Sequence, residues 1–285
     1  MAANTLEFNS VNPARTRSLV FPREHGAWGI LLVPLVSGAV VGALGSGFRL
    51  LPLVFFFTAS MAMFLLRTPV ESLLGTTPLR IRTGEERRLV LGFVVGYGAV
   101  AIASIVSLLF WVDVRPLLLL GVIAGGAFAL QAWIGRRSSS ARTLAQLIGS
   151  IGLTSTAAGA YLAAEGVLDR TALVLWAGNW LFAANQIHYV HLRIHAARAA
   201  DRRQKLRLGW GFLLGEAIAA TLIAAAALTS LAPKLAAVAF HPVLLRGAFW
   251  FLYPPKPLVI KRLGITELIH AMLFGAFLIA AYALA

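Results

Sequence analysis

The sequence predicts an all-α fold, a polytopic membrane bundle of nine helices, and three observations predict it. Of the 285 residues 59% are hydrophobic and 13% charged, against about 25% charged in soluble domains. Mean hydropathy is +0.81. The apolar residues fall in runs of about 20, the length a helix needs to cross the hydrocarbon core.

The runs place spans near 26–45, 49–66, 89–111, 116–134, 144–164, 171–190, 209–231, 235–253 and 264–284. The third, fifth and ninth are the clearest. The eighth is the least regular, because AVAFHPVLLRGAFW carries His241, Pro242 and Arg246. Residues 1–22 form a polar tail, and residues 23–285 read as one transmembrane domain. A full-length span, rather than a short apolar core with a cleavage site, follows the tail, which argues against a cleaved signal peptide. Small-residue pairs four apart predict close helix packing at Gly38/Gly42, Gly92/Gly96 and Gly121/Gly125.

Charge orients the bundle. The chain holds 25 Lys and Arg against 11 Asp and Glu. Twenty of the basic residues fall on one side of the predicted spans, and only Arg49, Arg115, Arg170 and Lys234 fall on the other. The positive-inside rule then puts the amino terminus in the cytoplasm and, after nine spans, the carboxyl terminus outside. The two longest loops, 67–88 and 191–208, are both cytoplasmic. The net charge of +14 does not indicate a nucleic-acid partner, because the basic residues lie between apolar spans and form no continuous face. Absence of cysteine excludes disulfides, thiolate catalysis and cysteine-ligated clusters.

Polar residues gather at the cytoplasmic ends. PREHGAWG, residues 22–29, sets Glu24 and His25 at the mouth of span one, with Trp28 as an interfacial anchor. The loop after span two offers Arg67, Glu71, Arg80 and Arg82, whose guanidinium groups suit a phosphate or carboxylate. Pro69 interrupts the turn between Arg67 and Glu71, so a helical ion pair is not assured there. On span six, Asn185, His188, His191 and His195 fall within about 120° of one helical face, with Arg193 beside them. Three of the six histidines on one face allow a metal site or an axial haem ligand. Deeper in the membrane lie Glu216, Arg246, Glu267 and His270. Glu216 and Arg246 are read as a possible buried pair, and Glu267 and His270, three apart, as neighbours across a turn.

PREHGAWG and NQIHYVHLRI, residues 185–194, resemble the YwiC-like family of bacterial membrane proteins, from about Pro22 to the last span. That resemblance implies a multi-pass protein of the bacterial inner membrane and no particular chemistry. The plan of nine helices, with long cytoplasmic loops after the second and sixth, also resembles the UbiA-type intramembrane prenyltransferases. It implies an isoprenyl diphosphate held with magnesium by aspartate-rich motifs on both loops. The matching places here, Arg67 to Arg82 and Asn185 to Asp201, depart from those motifs. Glu71 stands in the first, and histidines with Arg193 in the second. Magnesium needs hard oxygen ligands, and the cytoplasmic loops supply only Glu71, Glu85, Glu86 and Asp201.

Three functions follow as expectations. The first is a UbiA-like intramembrane enzyme without the magnesium motifs. It binds an isoprenoid or similar anionic amphipath, or a membrane lipid, through Glu24, Arg67, Arg80, Arg82, Asn185 and Arg193. His25, Glu71, His188 and His191 supply acid–base catalysis. The second is a secondary transporter using Glu216, Arg246, Glu267 and His270 as a proton path. The third is a haem- or metal-binding assembly protein using His188, His191 and His195.

Overall fold

The computed structural model describes residues 13–22, 25–46, 48–75, 79–137, 141–199, 201–253 and 258–285. Glu24, and the side chain of His25, lie outside the described residues. The described chain is all helical: α1 (Pro13–Val20), α2 (His25–Ser46), α3 (Leu50–Leu73), α4 (Gly84–Leu108), α5 (Val114–Arg137), α6 (Arg142–Thr154), α7 (Thr156–Glu165), α8 (Arg170–His195), α9 (Arg202–Leu228), α10 (His241–Leu252) and α11 (Ile260–Ala283). Among the described residues, eight helical segments are long and apolar enough to cross a membrane. The 26-residue α8 is not among them, because Asn179, Asn185, Gln186, His188 and His191 dilute its apolar content.

The helices extend past their apolar runs. α3 continues to Leu73 and α4 begins at Gly84, so much of the loop predicted at 67–88 is helical. The same holds for 191–208, where α8 runs to His195 and α9 starts at Arg202. Span five is broken rather than continuous. α6 passes to α7 at Ser155, where side chains of Ser150, Thr154, Ser155 and Thr156 donate to carbonyls three or four residues back. Such back-bonding bends helices. Span eight is also composite, a 3-10 stretch at Lys234–Phe240 leading into α10, whose first turn accommodates Pro242.

The chain forms two compact units, Met1–Arg23 with Thr58–Val106, and Glu24–Phe57 with Ser107–Ala285. The first holds α1, the second half of α3 and most of α4. Part of the segment read as a polar tail is thus a helix that buries Leu19 and Val20 with Val90. Ser72 Oγ donates to the Leu19 carbonyl at 3.0 Å.

The second unit is built around α2 and α7. Gly38 and Gly42 let α7 approach so closely that an added Cβ would strike the backbone of Ala157 or Tyr161. Lipid is as apolar as a leucine side chain, so van der Waals contact between close backbones, rather than the hydrophobic effect, drives such association. The expected packing at Gly92/Gly96 and Gly121/Gly125 does not occur: these glycines are exposed, and an added Cβ would meet nothing within 4 Å. Phe182 of α8 stacks on Phe274 of α11 at 4.1 Å, and Phe240 meets Phe274 edge-on, closing the core beside α8.

Candidate functional site

α8 begins where Asp169 accepts a hydrogen bond from the Ala172 amide at 3.0 Å, an N-cap. More than two turns before its basic end it enters a polar cluster within the second unit. Asn185 Oδ1 accepts from Arg246 Nη2 at 3.1 Å, and its amide donates to Glu216 Oε1 at 3.4 Å. Arg246 Nη1 donates to Glu267 Oε2 in an ion pair. The guanidinium also lies over the Tyr189 ring, 3.9 Å from its centroid. Gln186 Nε2 donates to the Glu267 carbonyl at 2.7 Å. α8 contributes Asn185 and Gln186, and α9, α10 and α11 contribute one charged residue each, Glu216, Arg246 and Glu267.

Local sequence explains the convergence. Gly247, next to Arg246, leaves room for the Glu216 carboxyl, onto which an added Cβ would project. The residues are deeply placed. Glu267 is 5% exposed, and the Arg246 side chain 10%. Two buried atoms of the cluster, Arg246 Nε and Glu267 Oε1, have no hydrogen-bond partner among the described residues.

The predicted pairings differ from those observed. Glu216 does not pair directly with Arg246, because Asn185 stands between them and bonds both. Glu267 takes Arg246 from another helix, while His270 Nδ1 donates to the Thr266 carbonyl of its own helix at 2.6 Å. A guanidinium outcompetes an imidazole for a buried carboxylate because it offers full charge with a fixed fork of donors.

The histidines of α8 point to separate partners. His188 lies edge-on to Phe212, His191 shares a 2.6 Å hydrogen bond with Gln146 of α6, and His195 Nδ1 donates to the His191 carbonyl at 2.8 Å. Among the described residues no group of three or more His, Asp and Glu is arranged to hold a metal ion. Arg193 donates to the Tyr189 hydroxyl at 3.2 Å and forms no ion pair with a carboxylate among the described residues.

The loop residues belong to the first unit, where their roles are local. Arg67 donates to Glu71 at 2.8 Å, so α3 carries the ion pair through Pro69 despite the lost backbone bond. Arg80 and Arg82 act through their backbones. The Arg80 carbonyl accepts from Arg15 Nη2 at 2.6 Å, and the Arg82 amide donates to Glu86 Oε2 at 2.7 Å. Glu86 Oε1 receives Arg15 Nε at 2.6 Å, and Thr83 Oγ1 accepts the Glu86 amide at 3.1 Å. The T-G-E-E run is a capping-box signature at the start of α4 that the sequence reading passed over. Asp201 caps α9 by accepting from the Gln204 amide at 2.7 Å. Three of the four loop carboxylates weighed as magnesium ligands are therefore engaged in caps or ion pairs.

Lys205 was also missed. It is 2% exposed and donates to the carbonyls of Trp250 and Tyr253 at 2.6 and 2.9 Å, over the Trp250 ring. It fastens α9 to the carboxyl end of α10, where cations are favoured. In the sequence it looks like any other residue of a basic cytoplasmic run.

No curated protein matches the chain. Residues 21–161 match the family model described as YwiC-like protein. The match includes PREHGAWG and ends within α7, so NQIHYVHLRI and the buried cluster lie beyond it. The eight apolar helices of membrane-crossing length among the described residues make the chain a multi-pass membrane protein, and just under half of it, residues 21–161, is similar to the YwiC-like family.

Proposed function

We propose that this is a nine-span protein of the bacterial inner membrane, with α8 as its least apolar span. In this reading it binds an anionic amphipath, an isoprenoid phosphate or a similar lipid, at the basic end of α8. The observation that carries this reading is Arg193. Its guanidinium is held by a neutral hydroxyl, not a carboxylate, and its charge is left to a ligand. Arg142 and His195 lie within electrostatic reach of His191, and Arg193 and Arg202 within reach of Lys205. This gathering of positive groups favours an anionic head group there, with its apolar chain in lipid.

His188 and His191 are the groups placed to move a proton near neutral pH. Asn185, three residues before His188 on the same helix, belongs to the buried cluster. The engaged loop carboxylates favour head-group binding by arginine over a magnesium bridge. A UbiA-like arrangement and a cytoplasmic opening would suit such a ligand, and the charge asymmetry of the loops supports the orientation.

Purified protein titrated with farnesyl diphosphate, with farnesol as control, tests the reading. The diphosphate binds, farnesol binds at least tenfold more weakly, and Arg193→Ala reduces diphosphate binding about tenfold. Equal binding of both compounds, or binding indifferent to Arg193, would overturn it.

A further inference from the structure

We propose that the cluster of Asn185, Glu216, Arg246 and Glu267 is a proton-binding site, with Glu216 holding the proton inside the bundle. This stands independently of what the basic end of α8 binds.

The first argument is charge. Two carboxylates, Glu216 and Glu267, share one guanidinium, Arg246, leaving one negative charge uncompensated. Charge isolated in a medium of low dielectric is neutralised rather than tolerated. Arg246 is committed to Glu267 by the ion pair and to Asn185 by its second terminal nitrogen. Among the described residues the donor to Glu216 is a neutral amide. The missing positive charge therefore belongs at Glu216.

The second argument identifies the charge as a proton. A metal cation would need several oxygen ligands. The oxygen of Asn185 is already bonded to Arg246, so Asn185 turns its nitrogen to Glu216. Among the described residues no group of three or more His, Asp and Glu could hold a metal ion, and with the Asn185 oxygen turned away the Glu216 carboxyl suits a proton better than an alkali ion.

The third argument is that the cluster is poised to rearrange. Arg246 Nε and Glu267 Oε1 are buried without partners, on the two members of one ion pair. A donor and an acceptor that the described residues leave over suit a hydroxyl or water, which can accept from one and donate to another. Loss of the proton from Glu216 would leave it competing with Glu267 for Arg246, with Asn185 as the link.

The groups facing Glu216 are few. α8 presents Asn185 and His188, whose Nδ1 is 3.4 Å from where a Cβ on Gly215 would lie. α10 presents Arg246. The 3-10 stretch packed on α9 has one charged residue, Lys234, at its far end. Glu267 reaches the cluster from α11, and His270 is turned to its own helix.

Infrared difference spectroscopy of the full-length protein in lipid, recorded against pH in sodium-free buffer, tests this directly. The wild type shows the C=O stretch of a protonated carboxyl at neutral pH, and Glu216→Gln loses it. Should Glu216→Gln fail to fold, Asn185→Ala decides: removing the amide donor keeps the band and moves it to higher frequency. A wild type without the band, a band unchanged in Glu216→Gln, or one unmoved in Asn185→Ala would overturn the proposal. So would abolition of the band by sodium alone, which would assign the site to an alkali ion.

Discussion

Two arginine–glutamate pairs, one in each unit, are built from the same groups and end in opposite conditions. In the first unit Arg15 and Glu86 are fully employed. Each Glu86 oxygen has a donor, from Arg15 and from the Arg82 amide, and Arg15 also holds the Arg80 carbonyl. One acid meets one base, at the start of a helix. In the second unit Arg246 and Glu267 keep an unused donor and an unused acceptor, and a second acid waits behind Asn185. The difference separates a fastening from a site. Where all valences are filled the pair ties elements together, and where they are not the pair can respond to a proton or a ligand.

The most severe way to test the contrast is to remove one carboxylate from each pair. Glu267→Ala takes from Arg246 its ion-pair partner and leaves it Asn185 and the Tyr189 ring, with Glu216 held behind Asn185. Breaking a buried pair in this way costs about 3–5 kcal/mol. Thermal unfolding in detergent should show it as the largest loss of any substitution named here. Glu86→Ala costs less, about 1–3 kcal/mol, because Arg15 is 20% exposed and retains the Arg80 carbonyl. Equal losses from the two variants would erase the distinction between the pairs.

What the sequence makes legible follows from what is local. Apolar runs locate the spans because desolvation acts on each segment alone, and the run at 26–45 coincides with Gly26–Gly45. Helix breaks are legible in principle. Ser150, Thr154, Ser155 and Thr156 sit together within a predicted span, and their back-bonding is local chemistry. The T-G-E-E cap of α4 is equally local. Partners across helices are not legible. Glu267 has His270 three residues away and Arg246 twenty-one residues away, and the fold selects the distant one. The polar face of α8 shows where a site is, but not which helices complete it. For the same reason a glycine pair announces a small surface without saying whether any helix uses it.

The glycine pairs sharpen the comparison of the two units. Gly42 of α2 is pressed against α7, and a leucine there would drive its side chain into Tyr161 and Ala164. Overpacking of this kind costs about 1–3 kcal/mol, with more expected where the obstacle is backbone. Gly96 of α4 faces open space, so Gly96→Leu should change stability by no more than about 0.5 kcal/mol in either direction. Unfolding midpoints of the two variants in the same detergent check both values. A destabilising Gly96→Leu would mean that α4 uses its small-residue surface against another molecule.

The smallest effect tests whether Pro69 matters to the pair beside it. Arg67 and Glu71 are four apart on α3 and bonded at 2.8 Å, with side chains 21% and 24% exposed. Proline removes one backbone hydrogen bond from this turn, yet the side-chain spacing survives. Both residues have further contacts, so single substitutions would mix several terms. A double-mutant cycle of Arg67→Ala and Glu71→Ala isolates the pair. The coupling should be about 0.3–0.5 kcal/mol, the value of an ordinary helical pair. It should also shrink as salt rises, because charges this exposed are screened. A coupling several times larger and insensitive to salt would place this pair with Arg246 and Glu267, as a desolvated group within a site. A coupling of the expected size leaves it with Arg15 and Glu86, among the fastenings.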